Sequence, residues 1–137
     1  MIVAELKPFE EIKNMIRDYK KVLVLGCGSC VTVCMSGGER QVELLASALT
    51  MARKLAGNEV TAGEKTILRQ CDPEFIDQIK DEISQYDAIL SMACGAGVQG
   101  IAESLRETPV LPAMNTTFIG LSDGKGTWVE VCAACGN

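Results

Sequence analysis

Apolar residues along the chain follow two patterns: stretches with the period of an amphipathic helix, and short uninterrupted runs. The helical period appears after Pro8, across residues 38–56, after Asp72-Pro73 and after Gly95. The uninterrupted runs are aliphatic and short, which is typical of strands that are buried on both faces of a sheet. They occupy residues 22–25, 66–68, 88–90 and 110–111.

The two patterns alternate along the chain, which predicts an α/β fold with a mostly parallel sheet and right-handed crossovers. We expect a Rossmann-like arrangement of three layers, α/β/α, with residues 22–25 as the central strand. Residues 118–121 and 128–131 flank a glycine-containing turn and predict a C-terminal β-hairpin. No linker or repeat interrupts the chain, and its length suits a single Rossmann-like, cysteine-rich domain over residues 1–137.

The composition directs attention to sulfur chemistry. The chain contains seven cysteines and no histidine, which excludes histidine-based nucleophile pairs and mixed cysteine–histidine zinc sites. An odd cysteine count without a secretion signal argues against a disulfide framework and favours metal binding or catalysis. With a net charge of -5 and no basic stripe, nucleic acid is not an expected partner. No apolar stretch approaches the length of a membrane span, so we expect a cytoplasmic protein.

Three cysteines follow three different predicted strands. Cys27 ends the first strand, Cys71 follows the second and Cys94 follows the third. The carboxyl ends of parallel strands share one edge of the sheet, where α/β proteins bind their ligands. The sequence therefore predicts that these cysteines lie along one edge.

Two further cysteines share a loop with Cys27. Two residues separate Cys27 from Cys30, and three separate Cys30 from Cys34. Three thiolates on one turn can ligate three irons of a cubane, and a remote fourth thiolate completes a [4Fe–4S] cluster. Cys94 is slightly favoured over Cys71 as this fourth ligand, because the glycines and helix N-terminus that follow it suit an anionic cluster.

Other interpretations of these residues stay open. The same thiolates can hold zinc in a structural or partner-docking module, because spacing does not separate an all-cysteine zinc site from a cluster. Cys132 and Cys135 form another closely spaced pair, which predicts an incomplete second site. The segment Gly95-Ala96-Gly97-Val98-Gln99-Gly100 matches the dinucleotide fingerprint of a nucleotide-binding enzyme. It follows the third predicted strand, however, and no acid is placed to bind a ribose hydroxyl.

Five segments together resemble a known family. They are Cys27-Gly-Ser-Cys30, Cys34 followed by Gly37-Gly38, Arg69-Gln70-Cys71-Asp72, Ala93-Cys94-Gly95-Ala96-Gly97-Val98-Gln99, and Cys132-Ala-Ala-Cys135-Gly136-Asn137. This combination, which extends over nearly the whole chain, resembles the iron–sulfur small subunit, or carboxyl-terminal domain, of acetogen-type bacterial methylenetetrahydrofolate reductases.

The resemblance implies a role in electron transfer. In that family a flavin-bearing subunit reduces methylenetetrahydrofolate in one-carbon metabolism, and the small subunit passes electrons to that flavin. The implied partners are therefore the flavin-bearing subunit and an electron-donor protein, and the chain is not catalytic alone. Family members continue into a further cysteine-rich tail. Because this chain ends at Asn137, the second site is expected to be incomplete.

Overall fold

Seven strands and six helices make up residues 1–132, the part of the chain that a computed structural model describes. None of these helices is long and apolar enough to cross a membrane. In chain order the elements are β1 (Ile2–Leu6), α1 (Phe9–Met15), β2 (Lys21–Cys27), α2 (Cys30–Val33), α3 (Glu39–Leu55), β3 (Thr61–Ile67), α4 (Pro73–Asp77), α5 (Lys80–Ile83), β4 (Ala88–Met92), α6 (Gly95–Ser104), β5 (Val110–Pro112), β6 (Met114–Ser122) and β7 (Trp128–Cys132).

Four strands form a parallel sheet in the order β3-β2-β4-β5. β2 lies inside this sheet, with Val22 opposite Ala62 of β3 and Ala88 of β4. Every residue of β2 from Val22 to Cys27 is buried, as the uninterrupted apolar run predicts. The α/β class, the parallel sheet and the interior position of this strand are confirmed.

Each face of the parallel sheet carries its own apolar cluster. Successive side chains of a strand point to opposite faces. Val22 and Val24 accordingly pack with side chains of α1 and α3, whereas Leu23 and Leu25 pack with side chains of α4, α5 and α6. Helices therefore cover both faces, and the carboxyl edge is left to the loops that follow the strands.

Two strands differ from the sequence prediction. The prediction misses β1, because this strand is held by antiparallel pairing with the distant β6, where Ile2 lies opposite Ile119. β3 begins at Thr61 rather than at residue 66. It is an edge strand, and its polar Glu64 and Lys65 interrupt the apolar run by which a buried strand is recognised.

The helical segments also differ in detail. Asp72 caps α4 by accepting a hydrogen bond from Glu74 N, and Pro73 occupies the first turn, as predicted. The single helix expected there is divided into α4 and α5, because Ile79 leaves helical geometry with φ -119° and ψ 2°. The cysteine loop also contains a short helix, α2, which the sequence pattern does not reveal.

The predicted hairpin forms from β6 and β7. Together with β1 it makes a second, antiparallel sheet in the order β1-β6-β7. The Asp123 carboxylate closes its turn by accepting hydrogen bonds from Thr127 Oγ1 at 2.6 Å and Lys125 N at 2.8 Å. These bonds hold the pKa of Asp123 below its ordinary value. Only Ala113 separates β5 from β6, and its N–H donates to Ser91 O at 2.9 Å. The second sheet therefore begins beside the carboxyl end of β4.

Candidate metal centre

Three cysteines from separate segments lie at the carboxyl edge of the parallel sheet. Cys27 is the last residue of β2, Cys71 lies in the turn between β3 and α4, and Cys94 directly precedes α6. Cys71 and Cys94 lie near enough to Cys27 to act on it electrostatically. We call these three residues the thiol edge.

Burial sets the acidity of Cys27. Its side chain is only 8% exposed, and this burial raises the pKa of the thiol above its ordinary value. Backbone hydrogen bonds from Ser29 and Gln70 oppose the rise, while the charges that Cys71 and Cys94 would carry add to it. The raised pKa favours the protonated, less nucleophilic form of Cys27, so a metal that binds this sulfur replaces the thiol proton.

The loop that starts at Cys27 is tied to the end of β3. Gly28 N donates to Ile67 O at 2.8 Å, and Ser29 Oγ donates to Leu68 O at 2.8 Å. Cys30 follows as the first residue of α2 and is half-buried. These contacts hold the start of the loop close to the segment that leads to Cys71.

Cys34 faces a different part of the molecule. Its thiol lies 3.7 Å from Ala4 O on β1, 3.7 Å from Val31 O and 3.0 Å from Ser36 Oγ. Met35, the next residue, has a φ of 57° and takes the left-handed position that ends many helices. The turn after α2 thus directs the Cys34 thiol toward β1 of the antiparallel sheet.

Cys94 occupies the N-cap position of α6. The positive end of a ten-residue helix therefore lies next to its thiol and favours negative charge there. The backbone N–H of Gly95 donates to Thr116 Oγ1 on β6 at 3.0 Å, so Thr116 caps the helix. This bond connects the second sheet to the thiol edge.

The glycines of α6 have a packing role. A Cβ on Gly100 would lie 2.6 Å from Gln70 O, and one on Gly97 would lie 2.6 Å from Ala93 Cβ and 3.0 Å from Gln70 Cβ. Gly95 has open space, with Thr116 Oγ1 at 3.9 Å as its nearest contact. Close approach of α6 to the Gln70 segment explains Gly97 and Gly100 without a bound nucleotide.

Gln70 and Ser91 belong to this edge, and the sequence analysis does not single out their side chains. Both are fully buried and hydrogen-bonded to each other, and Gln70 also bonds Leu25 O. The signal available in the sequence is weak. It consists of one polar residue inside an otherwise apolar strand and another directly before a cysteine.

The second cysteine pair is only partly described. Cys132 is exposed at the end of β7, opposite Ile119 of β6, in the antiparallel sheet. Cys135 lies outside the described residues. Of the predicted incomplete second site, the structure therefore describes only the position of Cys132.

The thiol edge suits a sulfur-ligated metal group by its donor chemistry. Soft thiolates are the ligands of iron–sulfur clusters and of all-cysteine zinc sites. Within residues 1–132, no group of three cysteine, aspartate or glutamate side chains is already close enough to hold a metal ion. Binding therefore requires the thiols of this edge to turn toward a common centre.

Comparisons of the chain with known protein families, with curated proteins and with solved structures found no match.

Proposed function

We propose that this protein binds a [4Fe–4S] cluster at the thiol edge and transfers electrons through it. The observation that carries the proposal is that Cys27, Cys71 and Cys94, from separate segments, lie at the carboxyl edge of one parallel sheet, in a chain that has no histidine. Iron–sulfur clusters are bound mainly by four cysteine thiolates. The cluster supplies the electron-accepting and electron-donating centre; the chain positions it and controls its access to water.

We propose Cys27, Cys71, Cys94 and Cys30 as the four ligands. Cys30 stands at the start of α2, in the loop that is hydrogen-bonded to the end of β3. Cys34 was an equal candidate from spacing, but its thiol contacts Ala4 O and Ser36 Oγ beside the antiparallel sheet. We therefore assign the fourth position to Cys30 and a packing role to Cys34.

The surroundings of the thiol edge are suited to a redox centre. The helix N-terminus at Cys94 stabilises negative charge, and hydrogen bonds and burial around the sulfur ligands tune the potential of a cluster. Val33 and Met35, in the loop that begins at Cys27, are 55% and 66% exposed. Exposed apolar side chains in the loop that carries two of the proposed ligands offer a contact for a partner protein.

The partners follow from the motif resemblance. We propose that the protein is the electron-transferring component of a bacterial methylenetetrahydrofolate reductase, receiving electrons from a donor protein and passing them to a flavin-bearing subunit.

We further propose a Rossmann-like, three-layer fold, supported by the helical side chains that pack on both faces of the parallel sheet. Cysteines 27, 30, 34, 71 and 94 are unbonded thiols, which suits the cytoplasm.

A zinc-binding structural module is the second candidate, because thiolates alone can complete a tetrahedral zinc site. The two candidates differ in a visible property. A cluster gives a brown protein that contains iron and sulfide, whereas a zinc protein is colourless.

The ligand assignment is tested by alanine substitutions in protein that is purified without oxygen. We expect Cys27→Ala, Cys30→Ala, Cys71→Ala and Cys94→Ala each to lose most of the bound iron, because each removes one of four thiolates. Cys34→Ala is the matched control, since it lies in the same loop, and it should retain the iron. Iron content, measured per folded chain with circular dichroism as the folding check, decides the result.

Two results would contradict the assignment. Loss of iron in Cys34→Ala with retention in Cys71→Ala would indicate that Cys27, Cys30 and Cys34 of the loop hold the metal. Equal iron in all five variants would show that this edge does not bind the metal.

A further inference from the structure

A buried glutamine connects the segments that carry the thiol edge. The Gln70 side chain is fully buried, and its Nε2 donates to Leu25 O at 2.8 Å. Its Oε1 accepts a hydrogen bond from Ser91 Oγ at 2.6 Å, and Ser91 is fully buried as well. One amide thus joins β2, β4 and the turn after β3.

Each end of this connection lies within three residues of a cysteine. Leu25 precedes Cys27 on β2, Ser91 precedes Cys94 at the end of β4, and Gln70 is bonded directly to Cys71. A shift of any one segment along its axis would stretch a hydrogen bond to Gln70. The amide therefore couples the three positions from which the thiols project.

The backbone of the same residue is fixed from a second direction. A Cβ on Gly100 would lie 2.6 Å from Gln70 O and 3.3 Å from Cys71 Cα, so α6 rests directly on this peptide. The Gln70–Cys71 segment is thus held between the sheet and α6, the helix that begins beside Cys94.

Packing alone does not require polar groups at this position. The neighbouring core is aliphatic and includes Leu23, Leu25 and Ile89. A buried amide and hydroxyl are costly unless both are hydrogen-bonded, and here each satisfies the other. Such fully satisfied networks specify one arrangement of the groups around them, which aliphatic side chains would not do.

We propose that Gln70 is a positioning residue that sets the relative placement of Cys27, Cys71 and Cys94. The inference rests on the proposed function, because it assigns Gln70 to the same thiol site. The side-chain polar atoms of Gln70 are engaged by Leu25 and Ser91, so its side chain acts through the spacing of the thiols and not by contact with the bound group.

The test uses the metal-free chain and a probe that reports thiol spacing. Phenylarsine oxide condenses with two neighbouring thiols, forming two As–S bonds and releasing water. The other four cysteines are replaced by serine, so that only Cys27, Cys71 and Cys94 react. In this background we expect one probe per chain, and binding at least about tenfold weaker in Gln70→Leu, the size of effect that outer-shell residues have on metal sites.

Two further variants separate positioning from stability. Gln78→Leu is the matched control, an exposed glutamine between α4 and α5 that should bind the probe as the background does. Ser91→Ala removes one hydrogen bond but leaves the Gln70 amide in place, and we expect an intermediate loss. Urea unfolding is followed for every variant, and affinity is compared only below the start of unfolding.

Several outcomes overturn the inference. One is equal probe affinity in Gln70→Leu and the background, even if Gln70→Leu is less stable, because that result assigns Gln70 a structural role only. Absence of probe binding in the background also overturns it. Failure of the proposed function is a separate result. If the natural chain contains no iron but probe binding is normal, the positioning role of Gln70 still stands.

Discussion

Cys27 is a buried thiol at the end of a buried strand, and its environment decides what chemistry it can perform. Burial is the largest influence on it and favours the neutral form. Reactive cysteines in redox catalysts have the opposite property, a lowered pKa. At the residue scale, therefore, Cys27 is suited to ligation of a metal, which replaces its proton, and not to nucleophilic attack.

This property predicts the pH dependence of alkylation in the metal-free protein. A raised pKa means that less thiolate is present at a given pH, so Cys27 should react with iodoacetamide more slowly than the exposed Cys71. The alkylation rate of Cys27 should reach half of its maximum at a pH above the ordinary thiol pKa of about 8.5. Mass spectrometry of both residues in one sample measures this, and faster alkylation of Cys27 at neutral pH would contradict the account.

At the element scale, α6 shows why a glycine motif need not indicate a nucleotide. Its glycines allow the helix to lie against the Gln70–Cys71 backbone, and its N-terminus adjoins Cys94. The sequence identifies the strand, the glycines and the helix. It does not identify which atoms the glycines approach, because these lie in a segment far along the chain.

Alanine substitutions in α6 test this packing role. Gly100→Ala places a Cβ against the rigid Gln70 carbonyl, and overpacking of this kind costs about 1–3 kcal/mol, more than the ~1 kcal/mol that alanine adds in helix propensity. We expect net destabilisation. Gly95→Ala, which has open space, is the control and should change stability little. Urea unfolding of the metal-free proteins measures both, and a stabilised Gly100→Ala would contradict the close approach.

Local pattern accounts for most elements but not for those that depend on distant partners. β2, α3 and β4 are recognised because each has a continuous apolar run or face. β1 is missed because it is held by β6. β3 is predicted too short because the polar Glu64 and Lys65 interrupt its apolar run. The break between α4 and α5 at Ile79 also escapes prediction, since Ile76, Ile79 and Ile83 keep the helical period across it.

At the scale of the whole molecule, topology explains how cysteines far apart in sequence come to lie at one edge of the sheet. Parallel strands end at a common edge, so Cys27, Cys71 and Cys94 were expected there from order and direction alone. The direction of the Cys34 thiol could not be predicted in this way. Its direction depends on β1, an element that the local pattern does not reveal, and on the turn at Met35.

Anaerobic purification followed by metal analysis and electron paramagnetic resonance shows whether the thiol edge holds an iron–sulfur cluster. We expect a brown protein with about four irons and four sulfides per chain, and a resonance signal after reduction. A colourless protein with stoichiometric zinc, or one without metal after anaerobic reconstitution with iron and sulfide, would contradict the claim.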